Sequence, residues 1–197
     1  MPFPSPPWNL QGDLWCSLFA VRTGTEDRPA GLYGAAFVDY REGGVLSYQE
    51  LLVARLVRDG AVPRVHVTDI WVNTAPSRDG GRTLWAIPKE LGDLHVRDRR
   101  LWPAARTEWS AHVAGTPIAA ATFAGTPGVG LRTPYVFTLL QQREDGTPAV
   151  TKVSGTARSL PCLGSWRFGT DGPLAWMHGR PAVASFRMSD FRMTFGA

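Results

Sequence analysis

The chain has 197 residues, 44% of them apolar and 19% charged, with a net charge of +4; one globular domain of this size buries a core that needs no disulfide. The positive charge is spread along the chain, and its closest approach to a cluster, 97-RDRR-100, is interrupted by Asp98, so a basic stripe for nucleic acid is excluded. No apolar run reaches membrane-spanning length, and 1-MPFPSPPWNLQGD-13 lacks the basic and apolar regions of a signal peptide, so a cytoplasmic chain without membrane contact is expected.

The first seven residues hold four prolines, which predicts an extended arm over residues 1–13 that packs through Trp8. Ten strand segments follow, at 14–21, 32–40, 48–57, 65–72, 94–97, 106–113, 117–123, 135–141, 149–157 and 182–188. They are rich in β-branched and aromatic residues and are separated by turn chemistry such as 24-GTEDRPAG-31, 41-REGG-44, 58-RDGAVP-63 and 143-REDGTP-148. That number of strands at that spacing predicts a mainly β sandwich or barrel in one domain over 1–197. Helical signal is scarce. Residues 77–87 form one candidate, with Ser77 as N-cap, Gly80 and Gly81 weakening it, and Pro88 turning the chain. A second candidate, 186-FRMSDFRM-193, reads equally as a strand. Eight tryptophans imply a thick core, a ring-lined pocket or a subunit interface, and a homo-oligomer is expected.

Motifs for familiar chemistries are absent: there is no nucleophile elbow, HExxH, phosphate loop or GxGxxG, and 125-GTPGVG-130 reads as a β-turn loop. His66, His95, His112 and His178 are scattered, and Cys16 and Cys162 have no metal-ligand spacing, so no metal site is expected and the cysteines read as small buried residues. Two charged residues carry more. Alternation over 48-YQELLVARL-56 puts Tyr48, Glu50, Leu52, Ala54 and Leu56 on one face. Glu50 is then at the rim of a sheet, paired with an arginine such as Arg55 or Arg82, or inside a pocket, where burial would raise its pKa and suit it to proton transfer. Asp69, in 65-VHVTDIWVN-73, offers a weaker version of the same pattern. Lys89 is one of two lysines against 19 arginines, and an amine can add to a carbonyl where a guanidinium cannot.

Several segments carry a family resemblance. The stretch 80-GGRTLWAIPKELGDL-94 resembles the GRE-x-W-G-x-PKKL segment of the acetoacetate decarboxylase superfamily. Upstream, 46-LSYQE-50 is similar to the family's tyrosine-x-glutamate strand, and 171-DGPLAWMHGRPAVASFRMSDFRMTFG-196 resembles its GPL…L…P ending. The N-terminal PPW also recurs in relatives. The resemblance implies a curved, cone-like antiparallel β-barrel with one or two short helices and a closed internal cavity. It also implies that Lys89 forms a Schiff base with a substrate ketone, the iminium acting as electron sink. The sequence departs from the pattern at three points. Glu90 replaces the second lysine, and a neighbouring anion raises a lysine pKa. A second family glutamate would fall near Ala35 or Ala36. The arginine that grips a substrate carboxylate would fall near Gly12 to Leu14, whereas the nearest arginine is Arg22.

The function implied is a small-molecule enzyme, independent of any cofactor, with Lys89 as nucleophile and Glu50 as proton shuttle. Tyr48, Arg82 and Trp85 would position the substrate. Carbon–carbon lyase or aldolase-dehydratase chemistry is expected rather than acetoacetate decarboxylation. The alternatives are a non-covalent cyclase or tailoring enzyme of secondary metabolism, and a non-catalytic small-molecule-binding protein.

Overall fold

Many short strands, each with one apolar face, bury those faces most completely when the sheet closes on itself. The computed structural model describes residues 3–101, 104–125 and 130–196. In chain order the strands are β1 (Trp8–Val21), β2 (Gly31–Tyr40), β3 (Tyr48–Asp59), β4 (Val62–Val72), β5 (Lys89–Leu91), β6 (Asp93–Leu101), β7 (Ala104–Val113), β8 (Thr116–Gly125), β9 (Arg132–Gln142), β10 (Pro148–Pro161), β11 (Leu163–Phe168) and β12 (Ala184–Phe195). One helix, α1 (Ala75–Trp85), joins β4 to β5, and a single 3-10 turn spans Ala175–Met177.

Seven strands form a ring in the order β3-β2-β1-β12-β10-β9-β4, and β4 pairs with β3 to close it. The expected mainly β, antiparallel barrel is present, with antiparallel pairing at every junction of the ring but one. A closed ring of strands that alternate in direction needs an even number, so seven strands force one parallel junction. That junction is β4 with β9, where the paired residues are Val65 and Leu139. Side chains complete the seam. Gln141 is buried; its Oε1 accepts from the Val67 N–H at 3.0 Å and its Nε2 donates to the Val67 carbonyl at 3.1 Å. The Leu140 carbonyl can only accept, so His66 Nδ1–H donates to it, at 2.8 Å. Beyond this seam β5 pairs in parallel with the end of β4, from Ile70 opposite Lys89 to Val72 opposite Leu91.

A second, antiparallel sheet in the order β11-β8-β7-β6 packs on the outside of β1, β2 and β3. Alternation divides the labour. Trp15, Phe19 and Val21 of β1, Phe37 of β2, and Leu51 and Val53 of β3 join Trp109, Ile118 and Phe123 in the layer between the sheets. Phe37 is stacked between Trp109 and Trp166, with centroids 5.0 Å and 5.3 Å away. The intervening residues of the same strands face the barrel interior.

Most strands fall where the periodicity places them. β1 begins at Trp8, earlier than the expected residue 14, and pairs Trp8 with Phe195, so the arm gives way to barrel wall within residues 8–13. The second helix candidate lies wholly within β12. β5 and β11 were not anticipated: three residues show no periodicity, and the exposed positions of β11 include Leu163. Met1, Pro2, Trp102, Pro103, Ala197 and 126–129 of the 125-GTPGVG-130 loop lie outside the described residues.

Candidate active site

The barrel encloses a cavity of about 430 Å3. The inward face of β3 is the one that alternation predicts: Tyr48, Glu50, Leu52, Ala54 and Leu56 all line it. Lys89 and Glu50, on β5 and β3, reach the same deep end, where they are 4% and 3% exposed.

Local sequence explains how Lys89 arrives there. Helix α1 starts after Thr74, with Pro76 in its first turn, where a missing N–H is tolerated. Ser77, Gly80, Gly81 and Trp85 are its buried residues, an i, i+3, i+4, i+8 stripe facing the barrel. The expected N-cap role for Ser77 is therefore corrected. Thr74 is the N-cap, and the Ser77 hydroxyl, one turn inside the helix, points at Lys89. Ala86 ends the helix in the left-handed region at φ 54°, with its N–H on Arg82 O. Pro88 disfavours helix at Ile87, and the chain turns into β5.

Lys89 Nζ donates to Glu50 Oε2 at 2.8 Å, Ser77 Oγ at 3.0 Å and Tyr48 Oη at 3.3 Å. An ammonium has three N–H donors, and all three are engaged. Nζ also lies 4.9 Å from the centroid of the Tyr48 ring, in cation–π contact. Tyr40 Oη donates to the other carboxylate oxygen of Glu50 at 3.2 Å, and its ring stacks on Tyr48 with centroids 4.3 Å apart. Burial pulls the Lys89 pKa down, but the Glu50 carboxylate and the Tyr48 phenol outweigh it, and the net direction is up. Burial and the Glu50 carboxylate push the Tyr40 phenol well above its ordinary range. Burial likewise raises Tyr48, against the opposing pull of Lys89. The resting site is thus an ammonium–carboxylate pair ringed by neutral hydroxyls.

Two other expectations change. Arg82 does not line the cavity; its Nε donates to the Lys89 carbonyl at 2.6 Å, and its guanidinium pairs with Glu90 on the exposed side of β5. Alternation along β5 sends Lys89 inward and Glu90 outward, so the anion that acts on Lys89 is Glu50. Trp85 does line the cavity and closes its floor against Trp8 and Phe195, with centroids 4.8 Å and 4.5 Å away. Asp69 lies outside the cavity lining and pairs with Arg28. Ala36 and Leu14, at or beside the positions where the resemblance puts a second glutamate and a carboxylate-gripping arginine, line the cavity as apolar side chains. Ser77 and Tyr40 were missed. The first sits on the only helical stripe of α1, and the second shares the inward parity of Ala36 and Val38 on β2. Among the described residues no group of three or more His, Cys, Asp or Glu is placed to hold a metal ion, and no helix is long and apolar enough to cross a membrane.

The family model described as acetoacetate decarboxylase matches residues 26–166. Solved structures that share the fold include the following three. Acetoacetate decarboxylase from Legionella pneumophila subsp. pneumophila str. Philadelphia 1 is 13% identical with a TM-score of 0.67, over 98% of this chain and 87% of that one. The enduracididine biosynthesis enzyme MppR, complexed with the condensation product of pyruvate and imidazole 4-carboxaldehyde, is 17% identical with a TM-score of 0.64, over 99% and 89%. An acetoacetate decarboxylase-like enzyme from Sphingomonas wittichii RW1 is 13% identical with a TM-score of 0.66, over 98% and 92%. No curated protein sequence matches.

Proposed function

The chain belongs to the acetoacetate decarboxylase family, and from that premise we propose that it is a small-molecule enzyme that captures a carbonyl substrate as an imine on Lys89. The observation that carries this reading is a lysine amine at the closed end of an apolar cavity, 2.8 Å from the carboxylate of Glu50.

The pair supplies what imine formation needs. A proton passes from the ammonium to Glu50 and frees the amine lone pair. That pair bonds to the carbonyl carbon while the C=O π electrons move to oxygen. The added amine loses its proton as the oxygen gains one, giving a neutral carbinolamine. Glu50 then returns its proton to the hydroxyl, which departs as water. The product is an iminium beside a carboxylate, matching the charges of the resting pair. A site of constant charge suits an apolar interior, where an unpaired charge is costly. The iminium draws electrons from the neighbouring C–C or C–H bond, with Glu50 as base and the Tyr48 and Ser77 hydroxyls as acceptors available to its single N–H.

The chemistry is of the lyase or aldolase-dehydratase class and uses the iminium formed on the lysine as electron sink, without an added cofactor. Acetoacetate decarboxylation fits less well, because Leu14 lines the wall beside the expected carboxylate clamp. Carbonyl condensation gains support from the condensation product bound to MppR. Borohydride reduction in the presence of a broad carbonyl panel should add substrate mass at Lys89 and none to a Lys89→Met variant. If no compound leaves mass there, the covalent mechanism is to be abandoned.

The saturated ammonium favours a second reading. With three acceptors and a raised pKa, Lys89 would be a structural cation in a non-covalent cyclase, the ring-lined cavity folding an apolar intermediate. Turnover retained in Lys89→Met selects this reading, and a bound compound recovered unchanged selects a binding protein.

A further inference from the structure

The cavity above Lys89 has dimensions and a lining that imine formation alone does not require. Six residues of β3 separate Glu50 from Leu56, about 20 Å of strand at roughly 3.3 Å per residue. Strand tilt makes this a bore on the order of 15 Å deep along the barrel axis. The deep end is shut by the rings of Trp8, Trp85, Tyr40 and Tyr48. The far end is open, since Leu56, Leu32 and Phe137 line the cavity yet are 51%, 39% and 37% exposed. A volume of about 430 Å3 holds on the order of a dozen non-hydrogen atoms if each takes the ~30 Å3 of a water in the liquid. A short keto acid would leave most of that space unfilled.

The bore is kept wide by small side chains on adjoining strands: Cys16 lies opposite Ala36, and Gly34 opposite Ala54. On the β2–β1 side of Glu50 the wall is apolar, with Val38 paired to it across β2 and Leu14 paired to Val38. Among the described lining residues the cations are Lys89, already paired, and Arg55, which is opposite Tyr33 toward the rim. A substrate carboxylate near Glu50 would be a second buried anion with no cation of its own, an arrangement apolar interiors do not support.

We propose that the substrate is an aldehyde or methyl ketone with a long unbranched apolar tail, its carbonyl at Lys89 and its tail running to the rim, and that free keto acids are poor substrates. This deepens the imine reading and rests on it. The carbonyl is placed at or next to the chain end because the rings of Trp8, Trp85, Tyr40 and Tyr48 line the cavity at its Lys89 end. Apart from the Lys89–Glu50 end, specificity comes from apolar burial along the bore.

The test is borohydride trapping on the wild-type protein with 2-butanone, 2-hexanone, 2-nonanone and 2-undecanone, beside pyruvate and acetoacetate. The half-saturating concentration should fall about fourfold per added methylene, the equivalent of ~0.8 kcal/mol per buried CH2, until the tail passes the rim. Ala54→Phe, and independently Ala36→Leu, should raise the half-saturating concentration of 2-undecanone relative to that of 2-butanone at least tenfold, with a cooperative melting transition showing that each variant folds. A series flat in chain length, or pyruvate or acetoacetate trapped more tightly than 2-undecanone, overturns the proposal and leaves the imine intact. Thermal shift with 1-decanol, which has no carbonyl, separates the two readings. If no ketone is trapped but decanol raises the melting temperature of wild type and not of Ala54→Phe, the imine falls and the long-tail specificity stands. No trapping and no shift overturns both.

Discussion

Lys89 is held between opposing influences: burial favours the neutral amine, and Glu50 favours the ammonium and prevails. Because the net direction is up, the reactive amine is the minor form near neutrality. Trapping at Lys89 should accelerate as pH rises from about 7 to about 10, because the neutral fraction grows toward the ordinary lysine range. In Glu50→Gln only burial and the hydroxyls remain, so the profile should move toward acid. Trapping rate against pH for both proteins checks this, and an unmoved profile would remove Glu50 from the control of Lys89. Sequence alternation put Glu50 on the inward face with Tyr48. It did not say that Glu50 would find a lysine rather than Arg55 or Arg82, because the partner comes from a strand 39 residues away. Glu90, adjacent in sequence, is turned outward by the same alternation.

At the scale of the element, α1 is a helix with two glycines in its interior, each costing about 1 kcal/mol of helix propensity relative to alanine. The packing supplies the reason. A Cβ on Gly81 would sit 2.7 Å from Lys89 Cδ and 2.9 Å from Cε, and one on Gly80 would sit 2.5 Å from the Trp8 ring. The glycines form a groove in which the Lys89 stem and the floor tryptophan lie. Gly81→Ala should leave far-UV circular dichroism unchanged and reduce trapping between about tenfold and a hundredfold, because it displaces an amine that must sit in attack geometry. Unchanged trapping would show that the stem moves aside without cost. The sequence shows the glycines only as helix weakeners. Their spacing with Ser77 and Trp85 marks a face, and that face acquires meaning once the barrel is against it. Arg82, one residue beyond Gly81, is rotated by about 100° and leaves the site.

At the scale of the molecule, the odd number of strands sets the weakest joint. The β4–β9 seam carries a single bridge pair, and the Gln141 amide stands in for a missing peptide by satisfying both polar groups of Val67. Gln141→Leu leaves those buried groups without their partner, at about 1–3 kcal/mol each. Urea unfolding should show the loss as a lower midpoint. A variant as stable as wild type would mean that the barrel closes without this clasp. The second sheet braces the opposite wall through the Trp109–Phe37–Trp166 stack, which keeps the inward parity of β1, β2 and β3 in register with the cavity.

The sequence by itself determined most of the strands, their two-faced alternation and the identity of the two charged residues worth following, because those depend on local periodicity and composition. Tertiary structure alone decided which way the ring closes, since a parity mismatch is a property of all seven strands together. It alone joined Lys89 to Glu50, Ser77 and Tyr48, and set Arg82 and Glu90 outside, because side chains distant in sequence meet only when the sheet curls. The shape of the bore follows from the same curling: alanine, glycine and cysteine on neighbouring strands are unremarkable singly, and together they leave the space above the amine.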